Sequence, residues 1–172
     1  RNPYLQTYAQ PFRLRDGPSG RQNLSELYEG YVLPWVATCS SPPRILDFGC
    51  GQGDYARTLR AKGLPLYGVE FFARKGKAID TVAVHSAIDR ACKSLTRDGL
   101  FDAVVCEAVV NSVDSRQALD DVLRCVSAFC KPGGRIFYSG RRRERVEAML
   151  ASKSLVEKRN QHRYVEFLDE DG

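Results

Sequence analysis

The chain has 172 residues, of which 43% are hydrophobic and 27% charged, a length and balance that suit one globular domain with a buried core. No apolar run approaches the roughly 20 residues that a membrane span requires, so no membrane partner is expected. The net charge of +5 is unevenly placed: ten Lys or Arg stand against three Glu between Lys131 and Arg163, which reads either as a solvated helix face or as a surface for a polyanion such as nucleic acid.

Cysteines stand at 39, 50, 92, 106, 125 and 130 with no Cys-x-x-Cys pair. That spacing supports neither a metal knuckle nor a disulfide framework, and reduced, mostly buried thiols in a cytoplasmic setting are expected. The opening Arg1-Asn2-Pro3 is not followed by an apolar signal core, so the chain reads as a piece of a longer protein.

Residues 1–43 are expected to form a leading loop or lid plus a helix, and residues 44–172 the core of a single domain. The first 22 residues are rich in Pro, Gly, Gln and Arg, which is turn chemistry. Asn23 is placed to cap a helix in which Leu24, Leu27, Tyr28, Tyr31 and Trp35 recur at three- and four-residue spacing, with Pro34 kinking or ending it. A short buried strand is expected from Arg44 to Phe48. A glycine turn follows, then a helix from about Tyr55 to Lys62 with Asp54 as cap and Gly63 as stop. Leu66 to Phe71 reads as the next strand. Between Ala73 and Leu100 the apolar spacing of Ile79, Val82, Ala83, Ile88, Ala91, Cys92 and Leu95 fits one long helix or two short ones. Phe101 to Cys106 is a third strand. Ser115 caps a helix with Ala118, Leu119, Val122, Leu123, Val126 and Phe129 on one face, and Lys131-Pro-Gly-Gly134 breaks it before a strand from Arg135 to Ser139. A basic helix near 143–152 and a strand near 164–167 complete the pattern. Strands alternating with helices predict an α/β fold, a doubly wound and mainly parallel sheet whose ligand sits at the carboxyl ends of the strands.

The turn Gly49-Cys-Gly-Gln-Gly53 lies at such an end, and glycines let the backbone approach a ligand closely. A dinucleotide fingerprint would need glycine at 54, where Asp54 stands, and a carboxylate at the helix start competes with a pyrophosphate for the same amides. A ligand without phosphate fits better. Asp47 can accept hydrogen bonds from an ammonium group or brace the glycine turn. Glu70 can take both hydroxyls of a ribose or stand as an exposed strand-end charge. Together the two carboxylates bracket a zwitterionic nucleoside.

Ile45-Leu-Asp-Phe-Gly-Cys-Gly-Gln-Gly53 resembles the first motif of class I methyltransferases that use S-adenosylmethionine (SAM). Gly68-Val-Glu70 resembles the second, Phe101-Asp-Ala-Val-Val-Cys106 the strand leading to the reaction site, and Cys130-Lys-Pro-Gly-Gly-Arg-Ile-Phe137 the late helix-turn-strand element. The resemblance implies SAM as cofactor and S-adenosylhomocysteine (SAH) as product. In it Gly49, Cys50, Gly51 and Gly53 pack against the methionine part beside Asp47, Glu70 holds the ribose, Phe71 lines the adenine pocket, and Cys106 and Glu107 edge the site. Sheet packing for Phe71 and an inert buried thiol for Cys106 remain the competing readings.

Two departures from the family stand out. The stretch between Phe71 and Phe101 is short for the usual helix, strand and helix, so an outer strand is expected to be missing or vestigial. The sequence given stops soon after Phe167, so an incomplete edge is expected there, and an exposed edge strand invites self-association. The methyl acceptor, a small molecule or a nucleic acid, is not identified by these motifs, and no catalytic base stands out. Asn111 and Asp114 are placed to face the acceptor, with a helix cap by Asp114 or Ser115 as the competing reading. His85 is a conceivable base on a helix, and Tyr4, Tyr8 and Arg13 form either a lid or a loose terminus. The alternative to an enzyme is a non-catalytic module that keeps the SAM pocket or works through its basic segment.

Overall fold

The computed structural model describes residues 15–16, 22–51, 53–71, 73–75, 78–111, 113, 115–144 and 147–148. In chain order its elements are β1 (Arg15–Asp16), β2 (Gln22–Asn23), a π turn (Tyr28–Val32) running into α1 (Leu33–Ala37), β3 (Ile45–Phe48), α2 (Asp54–Ala61) and β4 (Leu66–Val69). Then come β5 (Arg74–Lys75), β6 (Ala78–Ile79), α3 (Thr81–Asp98), β7 (Phe101–Glu107), a 3-10 turn (Val109–Asn111), α4 (Arg116–Phe129) and β8 (Cys130–Ser139).

The apolar runs of β3, β4 and β7 pair in parallel with one another and with β8, in the order β4-β3-β7-β8. Because side chains alternate along a strand, each run supplies both faces of the sheet. Ile45, Leu66, Ala103 and Val105 meet Tyr28, Val32, Tyr55 and Leu59 on one face. Leu46, Phe48, Val104 and Cys106 meet Ala91 and Val126 on the other. Full burial of such an aliphatic or aromatic side chain contributes roughly 1.5–3 kcal/mol, so these layers hold the sheet together. Tyr28 and Tyr55 meet edge to face at 4.7 Å, and Trp35 lies 5.6 Å from Phe137, which joins the N-terminal helix to the core.

Several sequence expectations change in detail. Ser25, not Asn23, caps the first helix: its Oγ accepts from the Tyr28 N–H at 3.4 Å, while Glu29 accepts from the Leu24 N–H at 3.0 Å. Pro34 neither ends nor breaks that helix. It has no N–H to give to Gly30, and the widened π turn ahead of it lets the run continue to Ala37. Tyr31, expected on the apolar stripe, is 60% exposed. Asp54 opens α2 rather than capping it, because Gly53 takes the cap position in the left-handed conformation. The ambiguous middle resolves into a small β5–β6 hairpin and one 18-residue helix, α3, capped by Asp80, whose carboxylate accepts from the Ala83 N–H at 2.9 Å. The buried face of α3 is Ala87, Ala91 and Ser94, leaving Val82 and Cys92 exposed. Among the described residues no strand of that stretch joins the main sheet. β8 begins at Cys130, with Lys131-Pro-Gly-Gly134 carried as an irregularity in its pairing with β7. The expected helix near 143–152 is described only at 143–144 and 147–148, and the strand near 164–167 and most of the leading loop lie outside the described residues. Cys50 and Cys106 alone are fully buried; Cys92 and Cys125 are exposed, against the expectation for the thiols.

Arg44 ties the start of β3 to the end of α3. Its guanidinium donates to the carbonyls of Asp98 (2.7 Å), Gly99 (3.0 Å) and Ser94 (3.2 Å) and lies 4.9 Å from the Phe101 ring centre. A cation here meets the negative end of the helix dipole. Its backbone N–H donates to Asp102 at 2.7 Å, and Asp102 is paired with Lys131. Replacing Arg44 by Met removes this fork and is expected to cost on the order of 2 kcal/mol, given about 1.5–3 kcal/mol for hydrogen bonds to charged groups. Lys, a point charge without the fork, should recover only part. Thermal unfolding followed by circular dichroism checks this, and a Met variant that melts with wild type would refute it.

Candidate functional site

The sheet order places a change of direction at β3: the chain moves outward to β4, then returns to β7 on the opposite side. Ligand sites of such sheets lie at this point, beyond the carboxyl ends of the strands. Asp47, the glycine turn, Glu70, Phe71, Cys106 and Glu107 all fall at those ends, so the structure gathers residues 60 positions apart into one place.

The glycine turn is fastened to β4. The N–H groups of Gly49 and Cys50 both donate to the Val69 carbonyl, at 2.8 and 3.0 Å. The Gly51 N–H donates to Oε2 of Glu70 at 2.8 Å, so the acid that ends the second strand is fixed by the turn that ends the first. Gly49, Gly51 and Gly53 have φ of 76°, 60° and 72°, a region that side-chain-bearing residues seldom occupy. Gly49 has a second reason to be glycine: a Cβ there would stand 2.3 Å from Cγ2 of Val109. Cys50 turns its sulfur toward β4, into the space that a Cβ on Gly68 would fill at 2.6 Å, so it offers the ligand side only its backbone.

Asp47 is fully buried, and its charge acts on the Cys106 thiol. Glu70 is 8% exposed. Asp54, at the first position of α2, is paired with Arg57 and keeps a carboxylate where a pyrophosphate would need the helix amides. Phe71 is 41% exposed and packs one side against Phe48 at 5.5 Å, which leaves ring surface open at the site. Cys106 is buried beneath the strand ends, and burial together with the charge of Asp47 pushes its thiol up to about 11. A thiol held neutral in this way packs and does not act as a nucleophile. Glu107 ends β7 half-buried, and His85 is exposed on α3. Ser115 caps α4, accepting from the Ala118 N–H at 3.1 Å. Asp114, Tyr4, Tyr8 and Arg13 lie outside the described residues.

The segment after β7 is where sequence reasoning fell short. Ala108 has φ of 59°, the one positive value off glycine among the described residues, and its N–H donates to the Ser139 carbonyl at 3.0 Å. Backbone held in so sparsely populated a region persists only where its surroundings fix it, and it concentrates at functional sites. This turn swings Val109 over Gly49. Asn111, expected to face an acceptor, accepts from the Arg141 N–H at 2.9 Å through Oδ1 and latches the turn to the end of β8. No spacing rule links residue 49 to 109 or 111 to 141; the Gly140 beside the latch, where a Cβ would meet Val110 at 3.2 Å, was the only trace in the sequence.

The comparisons agree with this geometry. Residues 21–170 match the family described as a methyltransferase domain. Ubiquinone biosynthesis O-methyltransferase from Chromobacterium violaceum is 29% identical over 115 residues, which cover 63% of this chain and 48% of that protein. The protein of the same name from Ralstonia nicotianae is 23% identical over 116 residues, 62% and 48% of the two chains. The chain thus spans about half the length of the curated relatives it matches. Among solved structures, the PH0226 protein from Pyrococcus horikoshii superimposes with a TM-score of 0.50 at 20% identity, covering 76% of this chain and 59% of that one, which shows a shared fold.

Two outcomes follow from the geometry. Gly49→Ala should destabilise the protein by about 1–3 kcal/mol through strain and the clash with Val109, and Val109→Ala in the same chain should return part of that loss; strictly additive effects in denaturant titration would refute the contact. At pH 8, iodoacetamide should alkylate Cys92 and Cys125 well before Cys106. Because folding raises the Cys106 thiol, its neutral form is favoured, and the stability this contributes is complete below the ordinary value of 9.0 and is lost as the pH rises through about 11. Mass spectrometry showing Cys106 labelled alongside Cys92 would contradict this assignment.

Proposed function

The chain belongs to the methyltransferase domain family of class I SAM-dependent enzymes, and from that premise we propose that it binds SAM at the carboxyl ends of β3 and β4 and transfers the methyl group to an acceptor approaching from the β7 side. The observation that carries this reading is the bond from the Gly51 N–H to Glu70, which sets a carboxylate and a side-chain-free turn at one point. The donor set suits the cofactor: two carboxylates at neighbouring strand ends match an ammonium group and a vicinal diol, and Asp54 on α2 speaks against a pyrophosphate.

When bound, SAM supplies a methyl group on a positively charged sulfur, open to in-line displacement. The chain's own residues have the task of positioning. The bare backbone of Gly49, Gly51 and Gly53 lets the methionine part lie close to the turn. Asp47, under that turn, attracts the ammonium group and braces the backbone. Glu70 holds the ribose hydroxyls while anchored by Gly51, and the open ring surface of Phe71 covers the adenine. Val109 and its latch wall the acceptor side. No side chain here is assigned as a base, and an acceptor that loses its proton readily needs none. The exposed thiols of Cys92 and Cys125 support a reducing, cytoplasmic setting. Among the described residues no helix is long and apolar enough to cross a membrane.

Calorimetric titration with SAH tests the pocket. Wild type should bind, and Glu70→Gln, which keeps an oxygen for the Gly51 N–H but loses the charge that holds the ribose, should weaken binding by about tenfold, or roughly 1.4 kcal/mol. Folded protein that gives no heat with SAH would overturn the proposal. Transfer of radiolabelled methyl from SAM into separated nucleic-acid, protein and metabolite pools then identifies the acceptor class and tells an enzyme from a binding module.

A further inference from the structure

The carboxyl end of β8 carries a group of side chains that SAM binding does not use. Tyr138 is 66% exposed although it lies on a strand, and three residues on begins the run Arg141-Arg142-Arg143, all exposed. Arg143 is taken up by Glu147 at 2.9 Å, whereas Arg141 and Arg142 head the run as exposed guanidinium groups. This basic run is no loose tail. The Arg141 N–H is bonded to Oδ1 of Asn111, Asn111 ends the turn that carries Val109 over Gly49, and the pairing of β8 with β7 sets Tyr138 opposite Cys106. The backbone of the arginine run is therefore anchored to the turn after β7, and Tyr138 stands one strand over from Cys106, on the side proposed above for the acceptor.

Guanidinium groups bind phosphate oxygens through paired, charge-assisted hydrogen bonds, and an exposed tyrosine ring offers a face on which a planar base stacks. We propose that Tyr138, Arg141 and Arg142 recognise the acceptor as a phosphate-bearing nucleotide, free or within a single strand, with phosphate on the arginines and the base on the tyrosine. The proposal rests on the methyltransferase reading and names the acceptor class for the same site. It also accounts for the position of the charge: a merely solubilising run has no reason to be latched to the acceptor-side turn.

Fluorescence anisotropy of a labelled oligothymidylate, with a nucleoside monophosphate and inorganic phosphate as competitors and SAH present throughout, tests this. Wild type should bind with an affinity that falls with salt at a log–log slope of about −1.4, roughly −0.7 for each of two phosphate contacts on a single strand. Arg141→Glu with Arg142→Glu should reduce affinity at least about tenfold, and Tyr138→Ala about fivefold or more, in line with roughly 1–3 kcal/mol for a stacked base. Arg90→Glu with Lys93→Glu, the same change of charge on exposed positions of α3, should do little. Competition by the monophosphate as strong as by unlabelled strand identifies a free nucleotide as the acceptor; strand alone competing identifies nucleic acid, and both support the proposal. No binding, or equal loss in the α3 control, overturns it. SAH titration of each variant keeps the two claims apart: intact SAH binding without oligonucleotide binding sinks this inference and leaves the cofactor site standing.

Discussion

The bond between the Gly51 amide and the Glu70 carboxylate is the constraint on which the site depends. It joins the ends of two parallel strands through the two groups that the ligand would meet first. With the Gly49 and Cys50 amides already on the Val69 carbonyl, the glycine turn can neither drift from β4 nor relax toward solvent. A charge-assisted bond of this kind is among the stronger ones in a protein, and here it sets the direction of a buried acid. Everything else at the strand ends is arranged around that fixed corner.

The corner needs support from below, and the two core layers supply it. Tyr28 and Tyr55 clamp the N-terminal helix to α2, the helix that starts where the glycine turn ends. On the other face Phe48 links Phe71 at the rim to Phe129 near the end of α4, at 5.5 and 6.3 Å. Arg44 closes the opposite end of the sheet by holding the last carbonyls of α3. The small β5–β6 hairpin stands apart from the main sheet, so among the described residues no further paired strand flanks Phe71 beyond β4.

The turn that follows β7, on the side proposed for the acceptor, is built by different means. After Glu107 it uses a strained alanine, a valine methyl group and an asparagine latch. These groups shape a wall and carry no charge of their own. The nearby charge comes from β8 and the arginines that follow it, and Asn111 couples that strand to the site. Under the proposed function such a division suits methyl transfer, in which the cofactor site is general and the acceptor site is particular.

How much of this was legible in the sequence follows from the range of the interactions. The glycine turn, the two strand-end acids, the alternation of strands and helices and the Ser115 cap are local patterns, written within a few residues, and they could be read directly. The exact caps at Ser25 and Asp80, the π turn before Pro34 and the hairpin at 74–79 depend on which of several equivalent local options packs best, so spacing alone left them open. The Val109–Gly49 contact, the Asn111–Arg141 latch, the high thiol of Cys106 and the Arg44 fork were beyond reach, because each joins residues 30 or more positions apart or depends on burial. By itself the sequence determined the kind of ligand the strand ends suit; only tertiary structure decided how the turn is held, what lies over Gly49, and which of the candidate side chains merely pack, since those are matters of distance through space and not along the chain.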